Sequence, residues 1–197
     1  MLSQEKTVEA LTKLVNSGVV SGVEVLNAML SAEIRPEVPT IRVVEPYELE
    51  IETVLDDNPP LAIVEMGFNG SLQGNSGLVF QTEKAWKFVE KLAGDDAGSG
   101  EFDFVSTGVL TEIGNIVLNR VMGAISNALA LNLDYIVPNF FQGSLDRLWN
   151  QAPDKAGLVA STRFKVDDFA AEGDIVVFFE KSSFSRLMAI IGEDPQQ

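Results

Sequence analysis

Asn16 and Asn115, Pro39 and Pro138, and the tripeptides Leu78-Val79-Phe80 and Val177-Phe178-Phe179 all recur at one offset, 99 residues. A repeat of that length exceeds any solenoid unit. Each copy alone would be only marginally stable. The expectation is therefore one domain over residues 1–197, built from two pseudo-repeats of about 1–97 and 101–197. Each copy reads as helix, strands, helix. Their strands are expected to merge in a shared sheet with the long helices on one side, a two-layer α+β architecture with a pseudo-twofold axis.

The local pattern supports that order. Residues Glu5 to Leu30 read as a helix, with Leu11, Leu14, Val15, Val19, Leu26 and Leu30 on one side. At about 1.5 Å per residue it would span nearly 40 Å. Gly18 and Gly22 lie four apart inside it and weaken it unless another element packs closely there. Pro36 and Pro39 bracket a turn or sheet edge, and Thr40–Val44, Glu48–Val54, Leu61–Phe68 and Gly77–Phe80 read as strands. Thr82 is placed to cap a helix over 83–92, closed by Gly94, and 95–100 read as a linker.

In the second copy a helix is predicted from about Val105 to Leu131, with Val109, Ile113, Ile116, Val117, Ile125 and Leu129 recurring at helical spacing. Tyr135-Ile136-Val137 follows. Residues 139–155 read as a variable connection, with a short helix around Leu145, Leu148 and Trp149. Gly157–Val166 is a strand, Gly173 opens another over 174–179, and Ser182 or Ser183 caps a last helix that Gly192 closes.

Composition narrows the chemistry. The chain has no cysteine and no histidine, so it has no disulfide, no thiol nucleophile and no histidine base or ligand. Zinc is not expected, and no metal or cofactor site of the chain's own is apparent. Its net charge of −15 opposes nonspecific binding to nucleic acid or to anionic membrane. With neither a signal-peptide pattern nor an apolar run of spanning length, a cytoplasmic protein is expected.

Along the second long helix runs a polar line: Glu112, Asn115, Asn119 and Ser126. Glu112 and Asn115 are three apart and share a helix face, with Cβ atoms about 5–6 Å apart. Spacing alone would make them ordinary solvated residues. The duplicated frame singles them out. Glu112-Ile113-Gly114-Asn115-Ile116, then Asn127-Ala128-Leu129, then Pro138, with twenty-two residues between Asn115 and Pro138, resembles the active-site helix of the CheC/CheX/FliY phosphatases of bacterial chemotaxis. The first copy holds a degenerate twin, Ala10 to Gly18 followed by Ala28-Met29-Leu30 and Pro39, most similar to the first motif of CheC. It keeps Asn16 and the distance to Pro39. It has Lys13 where the motif has Glu, and Val20 where the second copy has Asn119. Four residues before Glu112, where the family usually has Asp or Ser, this chain has Gly108; the first copy has Glu9 there.

The resemblance implies a mostly antiparallel shared sheet with shorter flanking helices. It also implies hydrolysis of the phosphoaspartate of a CheY-like response regulator. Asn115 would orient the attacking water, and Glu112 would pair with the regulator's lysine. Asn119 and Pro138 are accessory candidates; Lys13 and Asn16 mark a degenerate first site. Mg2+ would belong to the regulator. The family also admits a homodimer or a helper protein. The alternative is a non-catalytic adaptor on the same fold, like a flagellar-switch component. Residue chemistry allows catalysis without histidine: an amide cannot act as a base at neutral pH, but it can donate to and accept from a water, and phosphoryl transfer depends mainly on alignment and charge stabilisation.

Overall fold

The computed structural model describes residues 4–29, 33–44, 60–93, 102–145, 147, 155–166 and 169–192. The elements in chain order are α1 (Gln4–Met29), β1 (Ile34–Pro36), β2 (Thr40–Val44), β3 (Leu61–Gly70), β4 (Gly74–Gln81), α2 (Thr82–Ala93), α3 (Phe104–Ala128), β5 (Leu133–Tyr135), β6 (Asn139–Gly143), β7 (Lys155–Val166), β8 (Phe169–Glu180) and α4 (Lys181–Gly192). The expected strand over Glu48–Val54, the closing Gly94, the linker over 95–100, and Leu148 and Trp149 lie outside the described residues.

The strands form one antiparallel sheet. Its path is β1-β7-β8-β4-β3-β5; β2 pairs with β7 beside β1, and β6 pairs with β3 beside β5. The centre is the β4–β8 pair, where Gly77 lies opposite Val176, its own counterpart 99 residues later. The sheet register therefore carries the repeat as a twofold axis. Gly74 faces Phe179 on one side of that pair and Phe80 faces Gly173 on the other, the same contact seen from the other copy.

The two long helices cross on the same axis. A Cβ on Gly18 would fall 2.4 Å from the Cα of Val121, and one on Gly22 would fall 3.2 Å from the Cα of Val117. Val117 and Val121 are the repeat counterparts of Gly18 and Gly22. Gly18 meets Val121 while Gly22 meets Val117, so α1 and α3 run antiparallel. The glycines that weaken α1 locally are what let the backbones touch.

Alternation along the strands sends Ala62, Val64, Met66, Phe68, Leu78, Phe80, Ile175, Val177 and Phe179 into one continuous core with the four described helices. Ile63, Val79, Val176 and Phe178 point the other way and pack with Phe141 and Leu145. Aromatic contacts join the strands. Phe68 meets Phe179 edge-on at 5.5 Å between ring centroids, and Phe80 meets Phe164 at 6.2 Å. Burying a side chain of this size contributes roughly 1.5–3 kcal/mol.

Several local expectations need correction. Residues Asn139–Gly143 are strand β6, not irregular connection. Gly173 lies inside β8 rather than opening it; a Cβ there would strike the Phe80 ring at 2.4 Å. The Thr82 hydroxyl is a donor to the Pro60 carbonyl rather than a cap acceptor. Helix α4 begins at Lys181, and the Ser183 hydroxyl takes a hydrogen bond from the Gln73 N–H at 3.0 Å.

The cap of α3 is Asp103. Its Oδ1 accepts from the Ser106 N–H at 2.8 Å and from the Ser106 hydroxyl at 2.7 Å. The Ser106 backbone bond, then the Ser106 hydroxyl, hold the Asp103 carboxyl below its ordinary value. A carboxyl depressed in the folded state adds stability above its unfolded pKa and loses it as pH falls through the folded one. Asp103→Ala should therefore lower Tm by about 2–4 °C at neutral pH. The gap to the parent should narrow in acid below the carboxylate range; thermal melts across pH would show it, and a gap constant with pH would refute the charge contribution.

Candidate functional site

Helix α3 has two faces. Leu110, Ile113, Gly114, Val117, Leu118, Val121, Met122 and Ile125 are buried against the sheet and α1. Gly114 lies directly on β3, where a Cβ would come 2.4 Å from Val64 Cγ1. That contact presses the helix onto the sheet and turns its other face outward. There Glu112 is exposed, and Asn115 and Asn119 are half-buried.

The structure brings these three residues together. Asn119 Nδ2 donates to Asn115 Oδ1 at 2.7 Å and to the Asn115 backbone carbonyl, also at 2.7 Å. The Asn115 amide is thereby held by a neighbour one turn away. Its carbonyl oxygen keeps a second lone pair. Among the described residues none accepts a hydrogen bond from Asn115 Nδ2, and none pairs with the Glu112 carboxylate. Gly108, one turn before Glu112, has nothing within 4 Å of where a Cβ would be. Ser126, expected on this polar line, is instead buried, and its hydroxyl donates to the Gly123 carbonyl at 3.2 Å.

Pro138 is half-buried between β5 and β6. The next residue, Asn139, lies opposite Glu65, the strand neighbour of the Val64 that supports Gly114. Pro138 is thus joined to the site through the sheet, and no hydrogen bond ties it to Asn115. The first copy is wired differently. Lys13 Nζ lies 2.8 Å from Glu9 Oε1 across one helical turn, both exposed. That hydrogen bond, then the charge of Lys13, holds the Glu9 carboxyl below its ordinary value. Such an exposed pair stabilises little, but it occupies the lysine. Asn16 has Val20 one turn on, which offers no donor to orient its amide.

Beside Asn119 the long helices leave an open groove of about 520 Å³. Ser17 and Ser21 line it from α1, and Asn119, Arg120, Gly123 and Asn127 from α3. At Gly123 nothing lies within 4 Å of where a Cβ would be, and the groove opens there. The groove depends on two segments about a hundred residues apart in the chain, so no local motif announces it.

Among the described residues no cluster of three carboxylates could hold a metal ion, and no helix is long and apolar enough to cross a membrane. No protein-family model matches the chain. Its structure is similar to that of FliY from Thermotoga maritima, at 15% identity over 98% of each chain with a TM-score of 0.75. It is similar to H. pylori FliM, solved as a FliM–SpeE complex, at 10% identity over 100% of both chains with a TM-score of 0.73. It is also similar to a chain of the Borrelia burgdorferi CheX–CheY–BeF3–Mg2+ complex, at 19% identity over 83% of this chain and 96% of that one, with a TM-score of 0.53. Helices on one face of a twofold-repeated antiparallel sheet are the fold of the CheC/CheX/FliY family, and this chain has that fold.

Proposed function

We propose that this protein docks the outer face of α3 on a phosphorylated CheY-like response regulator and hydrolyses its phosphoaspartate. The observation that carries the reading is the Asn115 amide, oriented by Asn119 at 2.7 Å beside the exposed Glu112. A CheX–CheY complex among the structures of this fold supports the class of partner. In the proposed reaction Asn115 Oδ1 accepts a hydrogen bond from a water and aligns it with the phosphorus. The water oxygen bonds to phosphorus as the bond to the aspartyl oxygen breaks. The aspartate carboxylate is regenerated, and the protons of the water leave with inorganic phosphate. Asn115 takes no proton at any point. Glu112 supplies the fixed charge that meets the regulator's lysine, and Mg2+ is the regulator's own.

Glu112→Lys, which copies the first half of the chain, tests the docking. Like charges set against each other in a contact oppose association. The kcat/KM for phosphate release from a phosphorylated regulator should fall about tenfold or more, mainly through KM. An unchanged kcat/KM would remove Glu112 from the contact.

A second reading is a non-catalytic adaptor. It draws on the TM-score of 0.73 to FliM, beside 0.75 to FliY. Tight binding of the phosphorylated regulator without faster phosphate loss would select it.

A further inference from the structure

The groove between α1 and α3 can be compared with an internal control, because the repeat supplies the same wall twice. Gly123 stands where the first copy has Glu24, Ala124 where it has Val25, Asn119 where it has Val20 and Asn127 where it has Ala28. Two side chains have shrunk and two apolar positions have become amides. The result is a hollow on one side of the helix crossing, and Glu24 stands at the corresponding place on the other.

The hollow is lined by one guanidinium and by neutral polar groups that can donate as well as accept. The Arg120 guanidinium is exposed and has no ion-pair partner among the described residues. Ser17 and Ser21 place hydroxyls one turn apart on the facing wall, and Asn127 adds an amide. No aspartate or glutamate lines the groove, in a chain whose net charge is −15. A guanidinium offers a planar fork of N–H groups that matches a carboxylate or a phosphate two bonds at a time. The volume, about 520 Å³, is in the usual range for small-molecule sites, roughly 300–1,000 Å³.

We infer that this groove binds a small molecule carrying a carboxylate or phosphate group, and that its occupancy is sensed at Asn115 through Asn119. Asn119 belongs to both places: its side chain lines the groove, and its amide holds Asn115 Oδ1 at 2.7 Å. An anion drawing the Asn119 amide toward the groove changes how the Asn115 amide is held. Binding itself does not require that Asn115 act in hydrolysis.

The test is a titration of the intact protein with inorganic phosphate and, separately, with succinate, at constant ionic strength set by chloride. Side-chain amide and arginine signals are followed by nitrogen-15 NMR. The expected result is saturable movement of the Arg120, Asn119 and Asn127 signals with one or both anions, at a Kd of about 1 mM or tighter; the anion that saturates identifies the group recognised. Arg120→Gln should weaken this binding about tenfold or more. Gly123→Glu, which restores the carboxylate of the first copy at a position with room for its Cβ, should abolish it. If Gly123→Glu fails to fold, Arg120→Gln, at an exposed position, decides alone. Absence of saturable shifts with either anion, or shifts of equal size in the variants, overturns the site. Groove signals that saturate while the Asn115 amide stays still overturn the coupling.

Discussion

Asn115→Ala is expected to lower the acceleration of phosphoaspartate hydrolysis by about 100-fold or more, the scale seen when a single transition-state hydrogen-bonding group is removed. The side chain is half-buried on the outer face of α3 and touches its own helix through Asn119. Alanine is the better helix former, so stability should hold or rise. The loss should therefore fall on kcat, with binding of the regulator nearly unchanged. Asn119→Val, which copies Val20 of the first copy, should cost less, because it frees the Asn115 amide to rotate without deleting it. Phosphate release from a phosphorylated regulator, measured against its spontaneous decay, separates these cases. A parent-like rate for Asn115→Ala would end the catalytic reading while leaving the adaptor reading standing.

Gly18→Ala is expected to destabilise the protein by about 2–4 kcal/mol, although alanine favours helix by about 1 kcal/mol over glycine. The added methyl would meet the Val121 Cα at 2.4 Å and the Arg120 carbonyl oxygen at 2.8 Å. Both are backbone atoms of a packed helix and cannot rotate aside, so α1 and α3 would have to separate. Gly108→Ala is the matched control. Nothing lies within 4 Å of its Cβ position, and it should gain about 0.5–1 kcal/mol. Urea unfolding curves for both, with m-values compared, give the difference directly. A Gly18→Ala protein as stable as its parent would mean the helices do not touch at this crossing.

The parts of the molecule legible beforehand were those written in local periodicity or in the repeat. Both long helices are amphipathic over many turns, and their ends fall within a few residues of expectation. Glu112, Asn115 and the spacing to Pro138 could be found because the repeat frames them. Strand β6 was hidden by its brevity: Asn139–Gly143 shows no long alternation, and only its pairing to Leu61–Glu65 makes it a strand. Gly173 was misread because glycine often punctuates strands, whereas this one makes room for the Phe80 ring. Ser126 followed the helical spacing of the polar line yet is covered by tertiary packing. The cap at Asp103 did carry a signal, since aspartate three residues before a serine N–H at a helix start is a common arrangement. The hydrogen bond from Asn119 to Asn115 was foreshadowed by their i, i+4 spacing, but its geometry needed the folded helix.

The edge strands carry one consequence for how such a chain could have arisen. Strands β1 and β2 of the first copy pair with β7 of the second, and β5 and β6 of the second pair with β3 of the first. The hairpins β3–β4 and β7–β8 each form within one copy, and each copy lends its edge strands to the other's hairpin. A half-length ancestor could have closed this sheet only by exchanging strands with an identical chain.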